Sequence, residues 1–138
     1  MKPDEIIKMA ANGNQQAEDF ARAWYAFCRL TDDNYDKDII VTDDRMAVVC
    51  VQFMTEMCGN EFFIQHRAMF YGVMVASFNA WLDSNRKDGI ERSVLSGMYH
   101  EVVYLVAFMT GGWQHMRHVS SECREYKPRK ESNHGALS

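Results

Sequence analysis

Apolar residues recur along this chain at helical spacing. Within residues 14–31, Phe20, Trp24 and Phe27 stand at i, i+4 and i+7, one face of a helix. Upstream, Pro3 suits the first turn of a short helix from about 3 to 11, which Gly13 ends. Downstream, Met46, Val49, Cys50, Phe53, Met54 and Met57 follow the 3.6 period closely. Thr42 offers the N-cap of that helix, Asp43 and Asp44 fill its first turn, and Gly59-Asn60 stops it.

A longer helix over about 61–85 carries Phe63, Phe70, Met74, Phe78 and Trp81 on one broad apolar side, and the polar run NRKDG at 85–89 turns the chain. A further helix over 90–110 has Val94, Met98, Val102, Leu105, Val106 and Met109 in register. It breaks at Gly111-Gly112, and residues 113–126 form a last helix. No segment alternates with the period of a strand, and Ile39-Ile40-Val41 is too short to found a sheet. The pattern predicts an all-α, single-domain bundle of five to six helices over residues 1–126, followed by a polar, flexible tail over 127–138.

The totals support that picture. A chain of 138 residues makes one domain and buries about two-thirds of its unfolded surface, so one core suffices. With 47% hydrophobic and 25% charged residues it is not a disordered chain. A net charge of −4 and no Lys/Arg cluster in the body argue against a nucleic-acid-binding surface. Cys28, Cys50, Cys58 and Cys123 form no C-x-x-C pair and read as small buried thiols of a reducing compartment. The N-terminus lacks a secretory h-region, and the most apolar window, residues 68–82, falls short of the ~20 residues a bilayer needs. A cytoplasmic protein with no membrane span is expected. The ten methionines mostly fall on apolar faces, as core filler.

Charge is concentrated in one place. Asp32, Asp33, Asp36, Asp38, Asp43 and Asp44 lie within thirteen residues, offset locally by Lys37 and Arg45 alone. If the helix from residue 14 runs on through the cluster, Asp32 and Asp36 share a face at i and i+4. Like charges so placed repel by a few tenths of a kcal/mol, and acids in a last turn oppose the macrodipole by roughly 0.3–1 kcal/mol each. Oxygen-only ligands of this kind suit Mg²⁺ or Mn²⁺, completed by water and substrate phosphate. If instead the helix ends at Leu30 or Thr31, the aspartates form a hydrated loop. Both readings stay open.

On the long helix, Ala68, Gly72, Ala76, Asn79 and Asp83 follow at spacings of 4, 4, 3 and 4, a narrow stripe of small residues with a polar end. It is either the floor of a ligand site or a seam for close helix packing.

The stretch Tyr25 to Asp36, YAFCRLTDDNYD, together with the run from Gly72 through Asn79 to Asp83, resembles locally the paired motifs of squalene and phytoene synthases, class I isoprenoid synthases. The resemblance implies two helices facing one another across a cavity and holding Mg²⁺ ions that bind a prenyl diphosphate. Asp32, Asp33 and Asp36 would be metal ligands on one wall, Asn79 and Asp83 their partners on the other, and Arg29 a diphosphate contact. In size and style the chain also resembles small bacteriophage-encoded proteins.

Two further polar residues share faces with the core. Glu101, three residues from Met98, is either a base or further ligand, or the partner of Arg22 or Arg67. His66 lies beside Phe62, Met69 and Phe70 as a core histidine, and His115 with His118 is a weak metal pair. No P-loop, G-x-G-x-x-G or G-x-S-x-G is present. The sequence therefore leads to a Mg-dependent helical protein that binds or turns over a small phosphorylated or diphosphate ligand. The alternative is a non-enzymatic acidic module that docks a host or viral protein partner. A homodimer is expected if exposed Met and Phe residues bury against a second copy.

Overall fold

The computed structural model describes residues 1–37 and 39–136, with side chains as far as Arg124. Asp38 of the acidic stretch and the last two positions of the expected tail lie outside the described residues. Among the described residues the chain is all helical, as the periodicity predicts, and forms one bundle: α1 (Pro3–Ala11), α2 (Gln15–Asp36), α3 (Asp43–Gln52), α4 (Glu61–Ser84), α5 (Gly89–Ser96) and α6 (His100–Ala136). A π-helical turn, Phe53–Cys58, extends α3, and a 3₁₀ turn, Gly97–Tyr99, joins α5 to α6.

The boundaries follow side-chain chemistry. Asn14 caps α2 by accepting from Ala17 N–H, and Thr42 caps α3 by accepting from Arg45 N–H at 3.1 Å. Asn60, itself buried, accepts from Phe63 N–H and donates to the Gln16 carbonyl at 2.9 Å, fixing the start of α4 against the start of α2. Gly59 closes the π turn because a Cβ there would meet the Thr55 carbonyl oxygen at 3.1 Å. Gly112 has φ 84° and ψ −174°, which kinks α6 at the place where the double glycine predicts a break.

α2 is the axis of the molecule. Phe20 is fully buried on it, with ring centroids 4.8–6.3 Å from Phe70, Phe63 and Phe62 of α4. Trp24, one turn later, meets Phe78 edge-on and donates its indole N–H to the Tyr99 carbonyl at 3.0 Å. α1 lays Ile6, Ile7, Ala10 and Ala11 against α6, which answers with Val102, Val103, Val106 and Ala107. Polar clamps hold that pair: the Thr110 hydroxyl donates to the Ala10 carbonyl at 2.6 Å, and His115 Nε2 lies 2.8 Å from the Met9 carbonyl.

Three features depart from the pattern. The helix expected over 90–110 breaks at Gly97, which frees α5 to lie on α4 with none of its own residues buried. Val94, expected in the core, is 60% exposed as a result. α3 touches the bundle along a narrow line, so Val49 is buried while Met46, Cys50 and Met54 face outward. Cys50 and Cys58 are thus exposed thiols rather than buried ones, and only Cys28 and Cys123 are partly sheltered.

If Phe20 anchors the core, Phe20→Ala should lower the unfolding free energy by about 3–5 kcal/mol. Urea denaturation followed by circular dichroism measures this. A loss below about 1 kcal/mol, the level of an ordinary surface change, would move the centre of the core elsewhere.

Candidate functional site

α2 does not stop at Thr31 but runs through the acidic stretch to Asp36, with Lys37 in the left-handed region as its C-cap. Asp32 and Asp36 consequently share one face. Both line a cavity of about 250 Å³ enclosed by the end of α2, the second half of α4, α5 and the 3₁₀ turn. Asp33 falls on the neighbouring face, only 7% exposed.

Each of the three carboxylates meets a guanidinium. Asp33 is held hardest, by Arg29 at 3.0 Å and by Arg45 of α3 at 2.9 Å. Asp32 lies 3.5 Å from Arg29 and accepts from the Trp81 indole N–H at 3.2 Å. Asp36 reaches Arg92 of α5 at 3.7 Å. Three acids are thus balanced by three arginines, two of them brought from other helices. Local sequence shows Arg45 beside the cluster but hides Arg92, which is far along the chain.

The cavity walls are of two kinds. Phe78 and Trp81 supply aromatic surface, with Tyr35 meeting Trp81 edge-on at 5.7 Å from outside. Ser77, Ser84 and Ser96 supply hydroxyls that donate to carbonyls three residues back in their own helices, leaving oxygen lone pairs for other donors. Cys28 and Tyr99 also line the space. Burial raises the pKa of the Cys28 thiol, and burial, reinforced by Tyr25, raises that of the Tyr99 phenol, so both are neutral at ordinary pH.

Other residues singled out in the sequence lie elsewhere. Asn79 and Asp83 are exposed on the side of α4 that faces away from the cavity, with Ala68, Gly72 and Ala76. α4 turns Ser77, Phe78, Trp81 and Ser84 inward instead, so the small-residue stripe is not the cavity floor. Glu101 does not line the cavity and pairs with Arg124 rather than with Arg22 or Arg67. Arg22 is engaged with Asp4 and Glu18. His66 packs on the Phe62 ring at 5.0 Å, as a half-buried core histidine.

The two-walled arrangement that the resemblance implies does not fit: Asp33 is committed to arginines, and Asn79 and Asp83 point away. Among the described residues, no three His, Cys, Asp or Glu side chains gather as a metal-holding group. What remains is one carboxylate pair, Asp32 with Asp36. Mg²⁺ commonly takes one or two protein carboxylates and fills its shell with water and ligand phosphate.

Searches with the chain find no matching family model, no similar curated protein and no similar solved structure. Among the described residues no helix is long and apolar enough to cross a membrane.

Two outcomes follow from this geometry. Asp33→Asn removes the charge that two guanidiniums share. Discounted for the partial exposure of both arginines, it should cost about 1–2 kcal/mol, against no more than ~0.5 kcal/mol for Asp83→Asn. Thermal melts compare the two, and equal effects would mean the Asp33 cluster does not hold the fold. Native alkylation with iodoacetamide should modify Cys50 and Cys58 fast and Cys28 more slowly. Peptide mass spectrometry reads the order, and labelling of Cys28 as fast as Cys50 would contradict its partial shelter.

Proposed function

We propose that this protein binds a small phosphorylated molecule in the cavity at the end of α2. The observation that carries this is the pair of loose ion contacts lining it. Arg29 with Asp32 at 3.5 Å and Arg92 with Asp36 at 3.7 Å both lie beyond charge-assisted hydrogen-bond distance. Arg92 so held can turn to a phosphate oxygen pair, for which its planar fork is suited, without breaking a short bond, while Arg29 keeps its 3.0 Å contact to Asp33.

The carboxylates left behind favour a cation beside the phosphate. Asp32 and Asp36 would hold Mg²⁺ or Mn²⁺, which offsets phosphate charge when bound. Size limits the ligand: about 250 Å³ equals the liquid volume of roughly eight water molecules at ~30 Å³ each. That suits a phosphate or diphosphate on a short apolar body resting against Phe78 and Trp81, and is small for a long prenyl chain. The proposal is one of binding.

The test is thermal melting with pyrophosphate and with a small phosphomonoester, each with and without Mg²⁺. A ligand at a hundred times its dissociation constant stabilises by about 2.7 kcal/mol, a rise of roughly 8 °C for a chain of this size. Arg92→Ala and the double change Asp32→Asn/Asp36→Asn should remove the rise while leaving the fold intact by circular dichroism. The proposal fails if no phosphorylated compound shifts the midpoint, or if the shift survives those substitutions.

A further inference from the structure

α3 is turned inside out. A surface helix ordinarily sets its apolar stripe against the core and its charges toward water. On α3 and its π turn, Met46, Val48, Val51 and Met54 lie outside, 41–59% exposed, with the exposed Cys50 among them. The side toward the bundle carries buried Val49 and, one turn earlier, Arg45, drawn in by Asp33 at 2.9 Å. That ion pair fixes the helical register, and the register then turns the apolar residues to water. Among the described residues, none of α3 lines the cavity, so this face is separate from the proposed ligand site. We infer that it is the docking surface for an amphipathic helix of a partner protein, its apolar stripe bordered at both ends by lysine or arginine.

Charge identifies the occupant. Asp43 and Asp44 are exposed at one end of the face, and Glu56 and the exposed Glu61 stand at the other. Among the described residues none of these four takes part in an ion pair, whereas Asp32, Asp33 and Asp36 each meet a guanidinium. The imbalance is local. Residues 32–61 hold eight acids against Lys37 and Arg45, a net of −6, while the whole chain is at −4, so the remainder is at +2. Basic residues flanking the partner's stripe would find uncompensated carboxylates at both ends of this one. The two methionines suit the middle of such a contact, because their unbranched side chains adapt to the shape laid on them.

The same charges disfavour the other occupants. A second copy laid antiparallel on the face would set Asp43 and Asp44 beside Glu56, and laid parallel would set them beside their own counterparts. Acids meet acids either way. Size agrees: the ten residues of α3 and six of the turn span about 24 Å by ~10 Å, roughly 240 Å², against ~800 Å² per partner in a standard interface. One helix covers that area. A helix that lies on a membrane carries lysine and arginine toward anionic headgroups, and the acids bordering this face would be repelled by them.

The probe is a peptide of about sixteen residues, ~24 Å long as a helix, with leucines at i, i+3, i+4 and i+7 and lysines at both ends and elsewhere. One control replaces every lysine by glutamate, and another scrambles the order so that no stripe forms. Fluorescence anisotropy with the full chain should show binding of the lysine peptide alone, and saturating peptide should slow iodoacetamide alkylation of Cys50 several-fold. Val51→Lys should weaken binding about tenfold, through the loss of one buried valine. Asp43→Asn/Asp44→Asn should also weaken it and flatten its fall between about 0.1 M and about 1 M salt, over which the screening length shortens from ~10 Å to ~3 Å. Both variants should keep the circular dichroism of the wild type. The inference is overturned if the lysine peptide does not bind, if either control binds equally, or if Cys50 stays fully reactive in the saturated complex. Self-association abolished by Val51→Lys would give the face to a second copy, and binding to phosphatidylcholine vesicles lost in that variant would give it to lipid; either overturns the inference too. If the double aspartate change unfolds α3, Val51→Lys decides alone.

Discussion

Carboxylates at the C-terminal end of a helix are disfavoured by the aligned peptide dipoles and by one another, and α2 ends on three of them with no basic residue in its last turn. Asp32, Asp33 and Asp36 together weigh against the helix by roughly 1–3 kcal/mol if left alone. The chain meets this by bringing cations to them. Arg29 comes from one turn earlier, Arg45 from the first turn of α3, and Arg92 from the middle of α5. Two helices with little buried surface of their own are thereby directed to one place. α3 has a single buried residue and α5 has none, so these ionic contacts do more to orient them than they would on a well-packed helix.

The cavity is a consequence of the same constraint. α5 stands off α2 at the reach of an arginine side chain, and the gap is lined by what each neighbour happens to turn inward: carboxylates from α2, aromatic rings and serines from α4, and the backbone of the 3₁₀ turn. The carbonyl of Tyr99, held by the Trp24 indole, fixes the far edge of that turn to the core. Core aromatic packing and surface ion pairing thus meet at one site. Its chemistry is amphoteric because its charges were assembled to neutralise one another.

Most helix positions were legible because their causes are local. Thr42 and Gly59-Asn60 mark the ends of the α3 segment through hydrogen bonds within a few residues, and the double glycine at 111–112 marks the kink of α6. Two boundaries were not. The run of α2 past Thr31 depends on arginines distant in sequence, so the acidic stretch alone left loop and helix both open. The break at Gly97 is hidden because Val94, Met98 and Val102 keep register across it. The 3₁₀ turn there is secured from outside, by Trp24. Residues lining the cavity divide likewise: Asp32 and Asp36 share one helix face and Trp81 lies on a helix's apolar side, Arg29 entered through the resemblance, and Arg92 and Tyr99 carried no local signal.

The stripe on α4 shows why pattern alone can name a face and still not say which way it points. Periodicity locates small residues and aromatic residues on opposite sides of the helix, but an outer side that mixes Gln65, Asn79 and Asp83 with Ile64, Tyr71 and Val75 marks the outside only weakly. Volume settles the direction. Phe20 on α2 needs large rings around it to fill the core, and Phe62, Phe63 and Phe70 can do so where Ala68, Gly72 and Ala76 would leave a void. Once the rings turn inward, Asn79 and Asp83 must turn outward with the small residues, because all are fixed to one helical register. The side of α4 that read as either a cavity floor or a packing seam is therefore turned outward by the same packing that made the core.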